Sequence, residues 1–331
     1  MKYVYVLTSS EGDLYYEQFF LSVTSLRLYN PLAEIVALID SKTKEGLSGN
    51  RAGYEKVVSK TVVVTAPSEL SQKEVSRWIK TSIKNYVAGD FLYIDCDTVI
   101  AGLLENDFAP EIKVGAIPDT HVPLARHHLA VHFKSEDKKL NFSSSDNVAN
   151  RYNGGVIFCR DVPEGNEFFS RWHSLWLYGN SKGNSQDMPA LNQANYEMND
   201  IITELPGEWN CQITHNGLPF LHDARIIHYY ATAFNFIKCP YLPGTETVLY
   251  SIKELGIIPD EVMKMLKSPK TAFEGESRIV CGDAELDVLN SKLFSMLLRI
   301  RKKVPGLFMA VNSAIIRILS GFKSSRKAKR K

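Results

Sequence analysis

Two aspartates pose the first chemical question. The run Phe91-Leu92-Tyr93-Ile94 is apolar and aromatic and stops abruptly at Asp95-Cys96-Asp97. Such a run reads as a buried strand. On an extended chain, carboxylates at i and i+2 project to the same side. Here they stand beyond the carboxyl end of a strand, where open α/β sheets bind ligands. Two hard oxygen donors on one side suit Mg²⁺ or Mn²⁺, with a diphosphate completing the shell. The plain alternative is a solvated acidic turn, and Cys96 is by type a small core residue. A second apolar run, Ile226-Ile227, ends at His228. As a third protein ligand its imidazole would tilt the choice from Mg²⁺ toward Mn²⁺; otherwise it is a hydrogen-bonded residue at a strand end.

Two more segments carry polar groups at telling places. In Tyr152-Asn153-Gly154-Gly155-Val156 the paired glycines permit close backbone approach, and the Asn153 amide is placed to reach a polar ligand. An ordinary turn into a strand is the alternative. In Ser185-Gln186-Asp187-Met188-Pro189, Ser185 or Asp187 suits the cap of a helix opening near Pro189. An active-site carboxylate is the sharper reading of Asp187. The histidines at 121, 127, 128 and 132 include an i, i+4 pair. They lack the glutamate that a helical zinc-protease motif needs, so a solvated or acceptor-facing loop is the preferred reading over zinc.

The elements that must position these groups follow from periodicity. Val4–Leu7, Ile35–Ile39, Val62–Val64, Phe91–Ile94, Val114–Ile117, Gly155–Phe158 and Ala224–His228 read as strands. Phe19, Phe20, Val23, Leu26 and Leu28 recur at helical spacing up to Asn30-Pro31, and Val75, Trp78, Ile79, Ile83 and Val87 mark a helix over Ser71–Val87. Alternating strands and helices predict an α/β fold with a mostly parallel sheet covered on both faces. Residues 121–150 read as a surface excursion, and helices are expected over 251–268.

Taken together, these segments resemble glycosyltransferase family 8, the glycogenin and lipopolysaccharide-galactosyltransferase type with the GT-A fold. The resemblance spans residues 1 to about 235. It rests on Tyr93-Ile94-Asp95-Cys96-Asp97, Asn153-Gly154-Gly155-Val156, Asp187-Met188-Pro189-Ala190-Leu191-Asn192, Leu205-Pro206-Gly207-Glu208-Trp209-Asn210 and Ile227-His228-Tyr229, in that order. It implies transfer of a sugar from a nucleotide sugar, UDP-linked, with retention of configuration. Asp95, Asp97 and His228 would hold Mn²⁺ or Mg²⁺. Thr8, Ser9 and Tyr15 would cover the base and ribose; Arg77 and Lys80 would face the diphosphate; Cys96, Gly154 and Gln186 fall among the donor contacts. Asp187 would lie beneath the anomeric carbon, Asn153 would orient the donor sugar, and Asp119 would contact sugar hydroxyls or serve as a turn residue. Met188 stands where the family has glutamine, which moves that polar contact to Gln186 or removes it. The family's Lys-Pro-Trp after the histidine is absent; Lys238-Cys239-Pro240 lies further on. A nucleotidyltransferase on a similar sheet is one rival, although Thr8-Ser9-Ser10-Glu11-Gly12 makes a poor phosphate loop. A glycan-binding protein on a degenerate transferase fold is another.

Bulk composition supports a globular chain and hides a polarity. The 331 residues are 44% hydrophobic with a net charge of +2, which excludes wholesale disorder and a polytopic membrane protein. Residues 288–331 hold 12 of the basic residues and no acid, whereas residues 1–287 hold 27 against all 37 acids. An acidic body of −10 therefore carries a tail of +12. Within the tail, Leu293, Phe294, Leu297 and Leu298, then Leu307, Val311, Ala314, Ile315, Ile318, Leu319 and Phe322, recur at helical spacing on either side of Pro305-Gly306. Such helices suit an anionic membrane surface; nucleic acid is disfavoured for want of a motif and interleaved aromatics. The expected organisation is a catalytic domain over 1–240, a helical connection over 241–287 and a membrane-associating tail over 288–331. Five scattered cysteines and the absence of an N-terminal signal-like apolar run predict a cytoplasmic protein held peripherally on the membrane.

Overall fold

The computed structural model describes residues 1–105, 108–230, 243–271, 287–288 and 290–315. The chain forms two compact units, Met1–Ile279 and Val280–Lys331. The first opens with β1 (Lys2–Leu7), α1 (Tyr15–Tyr29), β2 (Glu34–Asp40), α2 (Ser41–Gly46), β3 (Lys60–Val64), α3 (Gln72–Thr81) and β4 (Phe91–Ile94). It continues through β5 (Thr98–Ile100), β6 (Val114–Pro118), α4 (Ala130–Lys139), α5 (Ser144–Asn147), β7 (Tyr152–Cys159), α6 (Pro163–Ser181), α7 (Met188–Glu197), β8 (Ile202–Glu204), β9 (Cys211–Gln212) and β10 (Ile226–His228). Helices α8 (Glu246–Leu255) and α9 (Asp260–Lys267) follow.

Seven strands form the central sheet in the order β3-β2-β1-β4-β7-β6-β8. All pairs are parallel except those that β7 makes with β4 and β6, which are antiparallel. The period-2 alternation of β1 explains why both faces are dry. Val4 and Val6 join one core with residues of α3, α6 and α7, while Tyr3, Tyr5 and Leu7 join the other with residues of α1. A second sheet, β5-β10-β9, packs into the α1-side core through Val99, Ile100, Cys211, Ile226 and Ile227. Strands β5, β8 and β9 are too short, at two or three residues, for periodicity to find them.

Helix α3 begins as the sequence predicts, on a capping box between Ser71 and Glu74, but ends at Thr81 rather than Val87. The cause is local. The Ser82 N–H is shared between the Trp78 and Ile79 carbonyls at 3.2 and 3.1 Å, so the last turn tightens toward 3-10 geometry, while Thr81 Oγ1 and Ser82 Oγ also donate to the Arg77 and Trp78 carbonyls at 2.9 and 2.7 Å. Residues 121–150 are only partly a surface excursion, since His127, Phe133, Leu140 and Phe142 among them are buried. Helices α8 and α9 pack on the first unit's core through Val248, Leu249, Ile252, Val262 and Leu266. Asn50 Nδ2 donates to the Glu254 carbonyl at 3.0 Å and Tyr29 OH to the Leu266 carbonyl at 2.9 Å.

In the second unit, α10 (Lys292–Lys303) is capped by Ser291, whose Oγ accepts from the Phe294 N–H at 3.1 Å. None of its side chains is buried. Residues 305–315 are helical again, with Pro305 at the start. The apolar positions Ile318, Leu319 and Phe322 and the basic run 323–331 lie outside the described residues. No helix among the described residues is long and apolar enough to cross a membrane.

Candidate metal and donor site

β4, the middle strand, places Asp95 just beyond its carboxyl end, and the chain then turns tightly through Cys96 and Asp97 before entering β5. The two carboxylates therefore do not share a side by strand alternation, as extended geometry predicts; a turn brings them together. Two bonds hold it. Asp95 N–H donates to the Gly155 carbonyl at 2.7 Å, and Thr98 Oγ1 donates to the Asp95 carbonyl at 2.9 Å. β10, paired antiparallel to β5, sets His228 opposite Thr98. Ligand atoms of Asp95, Asp97 and His228 all lie within 4.8 Å of one another. His228 is buried, whereas the Asp95 and Asp97 side chains keep 29% and 23% exposure, which leaves the outer side open to solvent or ligand. Two carboxylates and one imidazole fit Mn²⁺ or Mg²⁺ by donor type.

Burial alone would pull the His228 pKa down, but the Asp97 carboxylate, 3.1 Å from Nε2, outweighs it and the net shift is upward. The ring stacks on Tyr230 with centroids 4.3 Å apart. Gly155 makes the ring's seat: a Cβ there would stand 2.3 Å from His228 Cε1. Tyr93 OH donates to Asp95 Oδ1.

A basic flank comes from α3. Lys80 Nζ lies 2.8 Å from Asp187 Oδ2 and 3.3 Å from Asp95 Oδ1, with both Lys80 and Asp187 buried. Arg77 Nε stands 3.8 Å from Asp187, is buried, and has no hydrogen-bond partner. Burial would raise the Asp187 pKa, but the Lys80 and Arg77 charges dominate and hold it well below the usual carboxylate range. Asp187 occupies the N-cap position of α7 without making a side-chain cap bond. The capping reading therefore gives way: the carboxylate is drawn to the cations of α3. Gly154 borders this pair, with an added Cβ 3.2 Å from Lys80 Nζ.

Asn153 joins the metal cluster to a second buried network. Its Nδ2 donates to Asp119 Oδ1 at 3.1 Å and to Tyr230 OH at 2.5 Å. Asp119 also accepts from Tyr230 OH and from His127 Nε2, each at 3.2 Å. Desolvation opposes ionisation of Asp119, yet His127 and Asn153 bring its pKa down to about 2. These donors make Asp119 a buried anchor. Next to it, Thr120 and His121 both adopt positive φ, 57° and 54°, a costly conformation for a β-branched residue. Gln212 holds the turn, its Oε1 accepting from the Thr120 N–H at 2.7 Å and its own N–H donating to His121 Nε2 at 3.2 Å. Burial lowers the His121 pKa to about 4. Of these histidines, His127 and His121 are not solvated: they are taken up by Asp119 and Gln212.

At the ends of β1 and β2, the loop after Leu7 is tied to α2 and α3 and closed on Asp13. Thr8 Oγ1 donates to the Gln72 carbonyl at 3.3 Å, Ser9 N–H donates to Thr43 Oγ1 at 2.8 Å, and Ser9 Oγ donates to Asp13 Oδ1 at 2.6 Å. The Ser9 hydroxyl is thus engaged within the loop, and Tyr15 is half exposed. Cys96 Sγ faces the Val6 carbonyl at 3.2 Å and packs on the α1-side core. Gln186 is exposed. Lys238, Cys239 and Pro240 lie outside the described residues. Tyr230 and Gln212 escaped the sequence reading; neither belongs to a spaced motif, and only tertiary folding brings them beside Asp119.

No protein-family model matches the chain, and no curated protein matches it. Solved structures do. The bifunctional glycosyltransferase WbbM, in its apo structure, superposes with a TM-score of 0.50 at 17% identity, over 81% of this chain and 51% of that one. The galactosyltransferase LgtC, solved with donor and acceptor sugar analogs, gives 0.48 at 15% identity, over 80% and 99%. Mouse xyloside xylosyltransferase 1 gives 0.46 at 13% identity, over 69% and 97%. The chain spans about half of the WbbM chain. With the sheet order above, the likeness to WbbM shows a GT-A type α/β fold.

Proposed function

We propose that the protein is a metal-dependent glycosyltransferase of the family 8 type, moving a sugar from a UDP-linked donor, with retention, to a glycan or glycolipid hydroxyl. The observation that carries this reading is the convergence of Asp95, Asp97 and His228 beyond β4, with the cations of α3 alongside. When bound, Mn²⁺ or Mg²⁺ would supply Lewis acidity against charge building on the departing diphosphate. Arg77, whose buried Nε–H lacks a partner, is suited to donate to a phosphate oxygen. Lys80 keeps Asp187 ionised, the state needed to stabilise positive character at a sugar's anomeric carbon. Asn153 orients the donor sugar, and Asp119 fixes the Asn153 amide by accepting from it. Thr8 and Tyr15 border the base and ribose on this reading.

The acceptor is read as a lipid-linked glycan, such as a lipopolysaccharide core or another surface-polysaccharide precursor, met at the cytoplasmic face of the membrane. The support is α10, which exposes Leu293, Met296 and Leu298 beside Arg299, Arg301, Lys302 and Lys303. Residues 1–240 would hold the chemistry and 288–331 the tether. Release of UDP from UDP-glucose, UDP-galactose or UDP-N-acetylglucosamine in Mn²⁺, abolished by EDTA, is the expected result, with GDP-mannose as control. Full turnover in EDTA would end the metal scheme; no turnover of any sugar nucleotide with a panel of glycolipid acceptors would end the transferase reading.

A further inference from the structure

A single backbone N–H determines how the buried amides beside the metal cluster must face. Gly155 N–H, which can only donate, is 2.8 Å from Asn153 Oδ1. The oxygen of Asn153 therefore points inward, and its Nδ2 points at Asp119, a carboxylate that can only accept. The two ends of this amide agree without any choice of rotamer flip. The Asn210 side chain approaches the same Asn153 oxygen at 3.1 Å, so the atom it presents is Nδ2. Its Oδ1 then faces His228 Nδ1 at 2.9 Å. An acceptor there requires hydrogen on Nδ1. In the neutral ring, Nε2 carries a lone pair, aimed at the Asp97 carboxylate 3.1 Å away. Two electron-rich atoms facing each other without a proton between them are repulsive, and a cation bound by both would relieve this.

We infer that Asn210 is a positioning residue: its side-chain oxygen locks the Nδ1–H tautomer of His228 and so presents Nε2 to a divalent cation held with Asp95 and Asp97. The inference rests on the metal reading of those three residues. Asn210 itself has no ligand-type contact; it is fully buried at the end of the 3-10 turn Gly207–Asn210, immediately before β9, and bonds the imidazole through Nδ1, the nitrogen that does not face Asp97. Without its oxygen, a neutral imidazole is free to place its proton on Nε2 and block the ligand position. Partners that fix a ligating histidine in this way are generally worth 10–100-fold in metal affinity.

The test compares Asn210→Leu, which keeps the branched shape and lacks an acceptor, with Asn210→Asp, which keeps one. Long-range ¹H–¹⁵N correlation on the Mg²⁺-loaded protein reads which ring nitrogen carries hydrogen; Mn²⁺ titration followed by electron paramagnetic resonance reads affinity without nucleotide or sugar. Wild type and Asn210→Asp should show a protonated Nδ1 and an unprotonated Nε2. Asn210→Leu should shift the ring toward Nε2–H and weaken Mn²⁺ by about 10–100-fold. An Asn210→Leu protein that keeps both the Nδ1–H signature and wild-type Mn²⁺ affinity overturns the inference. So does Nε2–H in wild type or in Asn210→Asp, even if the leucine variant fails to fold. Asp97→Asn separates the premises: unchanged Mn²⁺ binding there overturns the metal reading, whereas unchanged Mn²⁺ binding in Asn210→Leu alone overturns only the positioning role.

Discussion

Replacing Gly155 by alanine perturbs the site with one methyl group, and the structure fixes how far the disturbance reaches. The new Cβ would stand 2.3 Å from His228 Cε1, 2.8 Å from Nδ1 and 2.9 Å from Asn153 Oδ1. Non-bonded carbons settle at about 3.5–4.0 Å, so the ring must withdraw by roughly 1 Å. For zinc, bonds to imidazole nitrogen are near 2.0–2.1 Å, and metal–ligand distances in general tolerate only about 0.2 Å. The displacement therefore removes His228 from any coordination sphere centred on Asp95 and Asp97. The expected loss in Mn²⁺ affinity is at least tenfold and on the order of a hundredfold. Overpacking should also cost about 1–3 kcal/mol of stability, or roughly 2–4 °C in Tm per kcal/mol. Gly154→Ala is the matched control. Its Cβ would meet Lys80 Nζ at 3.2 Å, the far end of a flexible chain, and Asp187 Oδ2 at 3.4 Å, so Mn²⁺ affinity should change by less than threefold. Metal titration and thermal melting of both variants check the argument. Wild-type Mn²⁺ affinity in Gly155→Ala would refute it.

Lys80→Met should leave Asp187 buried without its closest cation; loss of one partner of a buried pair costs about 3–5 kcal/mol, and calorimetry should show Asp187→Asn restoring much of it in the double variant. Acid should destabilise the protein in two stages. The His121 pKa is depressed from 6.5 to about 4, so the unfolded chain takes the proton first and stability falls between those values. The Asp119 pKa is depressed from 3.8 to about 2, and its contribution, roughly 2 kcal/mol, is lost as pH falls through that lower window. His121→Gln should flatten urea-derived stability between pH 6.5 and 4 by about 1.4 kcal/mol per pH unit at the steepest point; an unchanged slope would contradict the assignment. In the full-length chain, replacing Arg299, Arg301, Lys302 and Lys303 with glutamine should weaken sedimentation on phosphatidylserine vesicles at least tenfold, at roughly 1 kcal/mol per charge before screening, with little change on neutral phosphatidylcholine.

The charge division at residue 288 and the long apolar strands were legible in the sequence. So were the positions of Asp95, Asp97 and His228, because each stands where an apolar run meets a polar residue and that boundary is written in residue type. The chemistry between them was not. The convergence of the carboxylates depends on a turn held by the Gly155 carbonyl, and β7 is antiparallel, a register that periodicity does not encode. The choice between cap and ion pair at Asp187 was settled by α3, more than a hundred residues earlier in the chain, which sets Lys80 against it. Asn210, Gln212 and Tyr230 acquire their roles only from buried hydrogen bonds across long sequence separations. Residue type and spacing determine which groups are available and which segments are buried. Only the tertiary structure decides which donor meets which acceptor, because burial removes water as an alternative partner and makes each pairing obligatory.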